Sequence, residues 1–377
     1  MDTLRLRPLV LVLGGCVLAV APSFADVSVS VTNLVTDDPV AHAAPVTDAG
    51  LVNAWGISYS GTGPFWVSSN GAGTSTVYRV DPLTQATTKV PLTVAIPGTG
   101  SVTGQVFNAG GATQFGGNNF LFVSEDGTVS GWRGALGTTA QSLSNLSAVF
   151  KGAAFASMGG SSYLYAADFH NATVSVFKGT AVAPALAGSF ADPSLPTGYA
   201  PFNIQALGSS LYVAYAKQDP NSPDEVAGAG LGLVNQFDLQ GNLVARVASG
   251  GALNAPWGLA IAPDTFGAWS GALLVGNFGD GRISAFNAST HAFLGQLNDA
   301  GGQPLSIDGL WGLSVGNGQA AGSTHALYFT AGPNTESHGL FGVMQAVPEP
   351  GSAALLMAGL LWLAWAGGRL RSQDAEH

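Results

Sequence analysis

The side chains able to do chemistry sit in short polar segments, each placed after an apolar run. Ser69-Asn70, Glu125-Asp126, Asp168 with His170 and Asn171, Lys217 to Asp219 with Asp224-Glu225, Asn277 with Asp280 and Arg282, and Asn334 with Glu336 and His338 are six such segments. Asn53, Asn203, Asn254 and Asp308 lead into a second set of runs. Charged residues make up only 9% of the chain, against roughly 25% in an ordinary soluble domain, so this gathering of carboxylates stands out. Carboxylates with amide oxygens suit a hard cation such as Ca²⁺, or hydrogen bonds to a polyhydroxy ligand. The candidate binding set is Glu125, Asp126, Asp168, His170, Asp219, Asn254, Asp280, Asp308, Glu336 and His338, with Glu125, Asp168 and Asp280 as candidate metal ligands. An enzymatic variant uses Glu125, Asp168 or His170 as acid or base, with a metal polarising a lactone or ester. Turn chemistry competes at every position. Asp126-Gly127 and Asp280-Gly281 are ordinary hairpin pairs, and Asn and Asp favour turns generally.

Other chemistries are excluded. The six histidines show no His-Glu-x-x-His spacing. A Gly-x-Ser-x-Gly elbow with triad partners is absent, as is a phosphate loop. The formal charge of −10 argues against a nucleic-acid partner, which requires clustered Lys and Arg. The single Cys, Cys16, lies in the leader, so the remaining body has no thiol or disulfide chemistry.

The elements that must position these residues repeat. The runs beginning at Phe65, Phe120, Tyr163, Leu211, Leu273 and Leu327 start 55, 43, 48, 62 and 54 residues apart. After a turn, each is followed by a second run ending in an aromatic (Tyr78, Trp132, Phe177, Phe237, Phe286, Phe341), and each is preceded by a small-residue run. Three of the latter share a motif: Trp55-Gly56-Ile57, Trp257-Gly258-Leu259 and Trp311-Gly312-Leu313. Short strands repeated radially predict an all-β, six-bladed propeller with four-stranded blades over residues 26–346. The small-residue run is the innermost strand, and the Trp before Gly packs between blades. The last repeat lacks a fourth strand; Val27 to Val31, which alternates apolar and polar, is expected to supply it and close the ring. In that topology the six polar segments share one end of the ring.

The two ends of the chain read as addresses. Arg5 and Arg7, an apolar run from Pro8, and small residues before Ala25 predict a signal peptide over residues 1–25, cleaved after Ala25. Leu13 to Cys16 also fits a lipoprotein box. At the other end Pro348-Glu349-Pro350 precedes an apolar stretch over 351–368, then Arg369 and Arg371, then a tail over 372–377. Eighteen residues give about 27 Å of helix, near the hydrocarbon thickness, so one transmembrane helix is expected there. The order of these features over 347–371 resembles the PEP-CTERM sorting signal. That resemblance implies an exosortase that removes the tail after transient anchoring in the inner membrane, with delivery to the envelope or extracellular matrix.

The blocks Tyr199 to Gln205, Tyr215 to Asp219, Asn254 to Ala260, Gly276 to Arg282 and Asp308 to Leu313 resemble signature blocks of an uncharacterised bacterial β-propeller family that commonly carries this tail. The family has no activity to transfer. The expected protein is an exported binding or interaction module of unknown ligand. Its expected partners are signal peptidase, exosortase and extracellular polysaccharide, with Ca²⁺ as the candidate cofactor. The alternatives are a metal-dependent hydrolase like the sugar lactonases and a structural extracellular matrix protein.

Overall fold

The computed structural model describes residues 27–99, 101–347 and Trp362. The described residues form six sheets, one per sequence repeat, antiparallel except where two short strands, Val46–Thr47 and Asn298–Asp299, add parallel to the blade 6 sheet. Blade 1 runs Ala54–Ser58, Phe65–Ser69, Thr74–Val80, Thr87–Ala95; blade 2 runs Val102–Phe107, Phe120–Ser124, Thr128–Trp132, Gln141–Asn145. Blade 4 runs Tyr199–Leu207, Ser210–Gln218, Leu233–Asp238, Leu243–Ser249; blade 5 runs Pro256–Ile261, Leu273–Asn277, Ile283–Phe286, Phe293–Gln296. Blade 6 has Leu310–Val315, Leu327–Ala331 and Leu340–Ala346. The first strands of consecutive blades touch in chain order, and that of blade 6 touches that of blade 1. A closed ring of six blades around a central channel results.

The approach of these inner strands explains their glycines. A Cβ on Gly56 would lie 2.4 Å from the Thr103 carbonyl oxygen, and one on Gly312 2.9 Å from that of Trp55. No side chain fits at those distances, so five blades present bare backbone to a neighbour there, while blade 4 carries Asn203 at the equivalent position.

Closure occurs as expected, over a longer strand. Ser28–Thr36 pairs antiparallel with Leu340–Ala346, with Val29 opposite Ala346 and Thr36 opposite Leu340. Val29, Leu34 and Val35 are buried by it, at about 1.5–3 kcal/mol each for a fully buried aliphatic side chain.

Two expectations need correction. Blade 3 has three strands, Phe150–Met158, Ser161–Asp168 and Thr173–Lys178, and not four. The connector that should form the fourth carries Pro184, Pro193 and Pro196, which lack the N–H a strand needs, and it is drawn onto blade 4. Phe190 packs on Tyr165 and Phe237, and Asp192 binds Arg246 and Asn235. The three Trp residues also do not merely separate neighbouring blades; they meet over the channel, as described below. The leader, the sorting motif at Pro348, Glu349 and Pro350, the arginines Arg369 and Arg371, and the expected helix over 351–368 (Trp362 apart) lie outside the described residues. Among the described residues no helix is long and apolar enough to cross a membrane.

Candidate functional site at one mouth of the channel

Every inner strand breaks register near its start: between Ala54 and Ile57, Val102 and Gln105, Phe150 and Gly152, Pro201 and Asn203, Pro256 and Gly258, and Leu310 and Leu313. Such a bulge re-aims a side chain out of the normal alternation. The first residue within each break is Trp55, Thr103, Lys151, Phe202, Trp257 or Trp311. Trp55 of blade 1 stacks on Trp311 of blade 6 with centroids 3.6 Å apart, and Phe278 stacks on Trp311 at 4.0 Å. Trp257 of blade 5 meets Trp55 edge-on, and Phe202 of blade 4 meets Trp311. Blades 5 and 1 are not neighbours, nor are 4 and 6. These contacts therefore cross the axis, and the aromatic rings plug the channel.

Lys151 occupies the position where blades 1, 5 and 6 carry Trp. It is 1% exposed. Its Nζ lies 5.5 Å from the Trp55 ring centroid and 5.9 Å from that of Phe169, within cation–π range. The Nζ donates to Glu125 Oε1 at 2.6 Å and reaches Asp224 Oδ1 at 3.4 Å. The Trp257 indole N–H donates to the Lys151 carbonyl oxygen. Asn70 donates to the second oxygen of Glu125, at 3.1 Å. Asn53 donates to Glu336 Oε2 at 2.6 Å and accepts from the Trp311 indole N–H at 2.9 Å. Asn53 (φ 50°) and the successive residues Asn334, Thr335 and Glu336 (φ 55°, 51° and 65°) all hold left-handed backbone, a cost that clusters at functional sites. The short strand Glu225–Val226 pairs with Gln218 and Lys217 and brings Glu225 to the same place.

One cation thus serves four carboxylates: Glu125, Asp224, Glu225 and Glu336. Burial pushes the Glu225 carboxyl up to about 7; Lys151 pulls it back, while Glu336 and Asp224 push it further up. Burial also raises Glu336, against the bond from Asn53 and the charge of Lys151. Burial opposes the charge on Lys151, but Glu125, Glu225 and Asp224 overcome it and hold its pKa above the ordinary value. The buried indole N–H of Trp55 makes no hydrogen bond, unlike those of Trp257 and Trp311.

The residues singled out from sequence divide sharply. Glu125 and Glu336 are in this cluster. Asp126 caps its turn through Thr99 N and Thr128 N. Asp168 is buried and holds Asn171 through its backbone and side-chain nitrogens. Asp280 accepts from Arg282 N and Asn277. Asn254 accepts from Gly228 N, and Asp308 from Asn334 N. His338 turns away to Asp37 at 3.0 Å. His170 and Asp219 line a neighbouring groove of about 500 Å³, with Phe169 and Gln218 on its walls. The candidate metal set Glu125, Asp168 and Asp280 is not brought together, because each is engaged in its own blade's turn or ion pair. Among the described residues no three His, Cys, Asp or Glu side chains are grouped to hold a metal ion.

Lys151 was not expected here at all; Asp224 and Glu225 were expected at this end of the ring but not in the candidate binding set. The signal was available: aligning the repeats on Gly56, Gly104, Gly152, Gly258 and Gly312 puts Lys151 in the column of Trp55, Trp257 and Trp311.

Below the plug the channel narrows to a cavity of about 10 Å³ lined by Gly56, Gly104, Gln105, Asn203 and Gly312, room for about one water. It opens again at the far mouth, about 230 Å³ lined by Ile57, Tyr59, Phe107, Phe155 and Ala206 among others.

This chain is 34% identical over 294 residues to "Uncharacterized protein R648" of Acanthamoeba polyphaga mimivirus, covering 72% of this chain and 70% of that protein. It is 30% identical over 319 residues to "Uncharacterized protein L690" of the same virus, covering 78% and 80%. The chain belongs to the family of these proteins. These relatives are viral, where a bacterial family was expected, and their names assign no activity. A third mimivirus protein, R640, matches at 34% over 155 residues, 40% of this chain and 29% of that protein. No family profile matches the chain. Among solved structures, one titled "Streptogramin B lyase structure" is similar with a TM-score of 0.48 and 11% identity, covering 87% of this chain and 100% of that one.

Proposed function

We propose that this chain is an exported binding module that takes a cationic, hydroxyl-bearing ligand at the mouth built around Lys151. The observation that carries this reading is the charge imbalance there: one buried ammonium against Glu125, Asp224, Glu225 and Glu336. A second cation entering the cluster meets unneutralised carboxylates, aromatic faces and the unpartnered indole N–H of Trp55. An ammonium group fits better than a metal ion, because no three ligands are grouped for one among the described residues. Free amino groups on an extracellular polysaccharide have this chemistry. The leader over 1–25 and the resemblance of 347–371 to a PEP-CTERM signal support delivery to the envelope or matrix, with signal peptidase and exosortase as processing partners.

The test is calorimetric titration with a glucosamine tetramer at pH 7 in buffers of different ionisation heat. We expect saturable binding with proton release, because the incoming ammonium displaces the proton shared at Glu225. Glu225→Gln with Glu336→Gln should weaken binding at least tenfold. Heat indistinguishable from dilution, or stabilisation by Ca²⁺ but not by the tetramer, would sink the reading.

A hydrolytic reading has one observation in its favour. A carboxyl held near 7 suits a general acid or base at neutral pH. Turnover of a lactone panel that is lost in Glu225→Gln would establish it in place of the binding module.

A further inference from the structure

Five blades end in a fourth strand that covers the outer edge of the third: Thr87–Ala95, Gln141–Asn145, Leu243–Ser249 and Phe293–Gln296, with Ser28–Thr36 in blade 6. In blade 3 the third strand, Thr173–Lys178, pairs with Ser161–Asp168 and with no other strand among the described residues. Six residues give about 20 Å of edge. In an antiparallel strand about half of the backbone N–H and C=O groups point away from the paired neighbour. Here they have no backbone partner among the described residues, with Thr173 and Lys178 exposed at the two ends and Val174 buried between them.

The chain's own connector is poorly placed to cover this edge. It leaves through Gly179, which is bonded to Ser162 and Phe115, and is then held on blade 4. Gly188 N and Phe190 N donate to the carbonyl oxygens of Gln240 and Gly241. Asp192 is buried against Arg246, which holds its carboxyl down at about 2 despite that burial. Folding the connector back would break this ion pair and expose Phe190.

Blade 6 shows how such an edge is filled. Its third strand takes a strand from the far end of the sequence, antiparallel over Val29 to Thr36 with one bulge between Asn33 and Val35. We infer that the open edge of Thr173–Lys178 is a docking site for an extended segment of a partner protein, which adds as the missing antiparallel fourth strand of blade 3. The chemistry of that segment follows from the five strands that fill the equivalent place. They are rich in Ser, Thr, Val and Leu and contain no acidic residue, with Lys89 and Arg246 as their only charges. Affinity comes from main-chain hydrogen bonds, and the alternation of side chains sets register.

The experiment uses the full chain and a fluorescent peptide, Thr-Val-Thr-Val-Thr-Val-Thr. Two further peptides carry N-methyl groups on alternate amides, one in each phase. The parent peptide should bind saturably and slow hydrogen exchange in residues 173–178 at least tenfold. One N-methylated phase should lose at least tenfold in affinity and the other should retain it, because only one phase donates to the edge. Equal binding of both phases, protection confined to another segment, or no binding up to millimolar peptide would overturn the proposal. So would concentration-dependent self-association that alone protects 173–178, since the occupant would then be a second copy of this chain.

Discussion

The two mouths of the channel are built from the same six inner strands, yet they differ in almost every property. At one mouth bulges aim Trp55, Lys151, Phe202, Trp257 and Trp311 at the axis, and loops of four blades add Asn53, Glu125, Asp224, Glu225 and Glu336. At the other, Ile57, Tyr59, Phe107, Phe155 and Ala206 continue regular strands and bring no ionised side chain. Left-handed backbone at Asn53, Ala255, Thr335 and Glu336 shapes the first mouth, whereas on the opposite face it is held by loop residues such as Gln85, Phe115 and His291. A repeated strand thus supplies the frame, and irregularities at one end of it supply the chemistry.

The comparison can be broken most severely at Lys151. Lys151→Met leaves the half-buried Glu125, Glu225 and Glu336 and the exposed Asp224 without their cation; removing one partner of a fully buried pair costs about 3–5 kcal/mol, and the partial exposure of these carboxylates brings the expected loss to about 2–4 kcal/mol. Equilibrium denaturation at pH 7 should show a loss of that size. A loss below about 1 kcal/mol would mean that the charges at this mouth are effectively solvated.

A smaller effect of opposite sign is expected at Glu225. Its folded pKa, about 7, lies above the ordinary 4.5. The folded state therefore binds more protons than the unfolded one between those values. Stability is greatest below about pH 4.5 on this account, declines as pH rises to about 7, and is level above that. Glu225→Gln should remove the decline and exceed the parent in stability at pH 8 by about 1–3 kcal/mol, measured as denaturant midpoints from pH 4.5 to 8. A parent profile level across that window would contradict the electrostatic account.

The smallest effect is expected at the far mouth. Gln205 lines it, and its side chain makes no hydrogen bond among the described residues. Gln205→Ala should change stability by no more than about 0.5 kcal/mol and leave glucosamine-tetramer binding unaltered. A tenfold change in that binding would place the ligand at the wrong end of the channel.

The blade count, the ring and its closing strand were legible because repeats of apolar runs and turns impose them. Blade 3 was legible only in part. Its first three runs match the others, but the three prolines and Asp192 act through contacts with blade 4 that sequence spacing does not reveal. At the site, Asp126, Asp168 and Asp280 behaved as turn residues, which their neighbouring Gly and Asn already suggested. Glu125 and Glu336 reached the cluster because their turns lie next to the axis. The direction of Trp55, Trp257 and Trp311 could not be read, because strand alternation sends them between blades and only the bulges turn them inward. Lys151 shares their column in the repeat alignment, but its inward direction was hidden for the same reason.

The closing strand has a consequence for how the ring is presented. The Val347 N–H donates to the Ser28 carbonyl oxygen, so the two ends of the described body are side by side on one rim of blade 6. Leu340–Ala346 runs from the Glu336 turn toward the far mouth, and Ser28–Thr36 starts where it finishes. Val27 and Val347 therefore both lie on the far side of the ring, and the Lys151 mouth faces away from the place where the described body begins and ends.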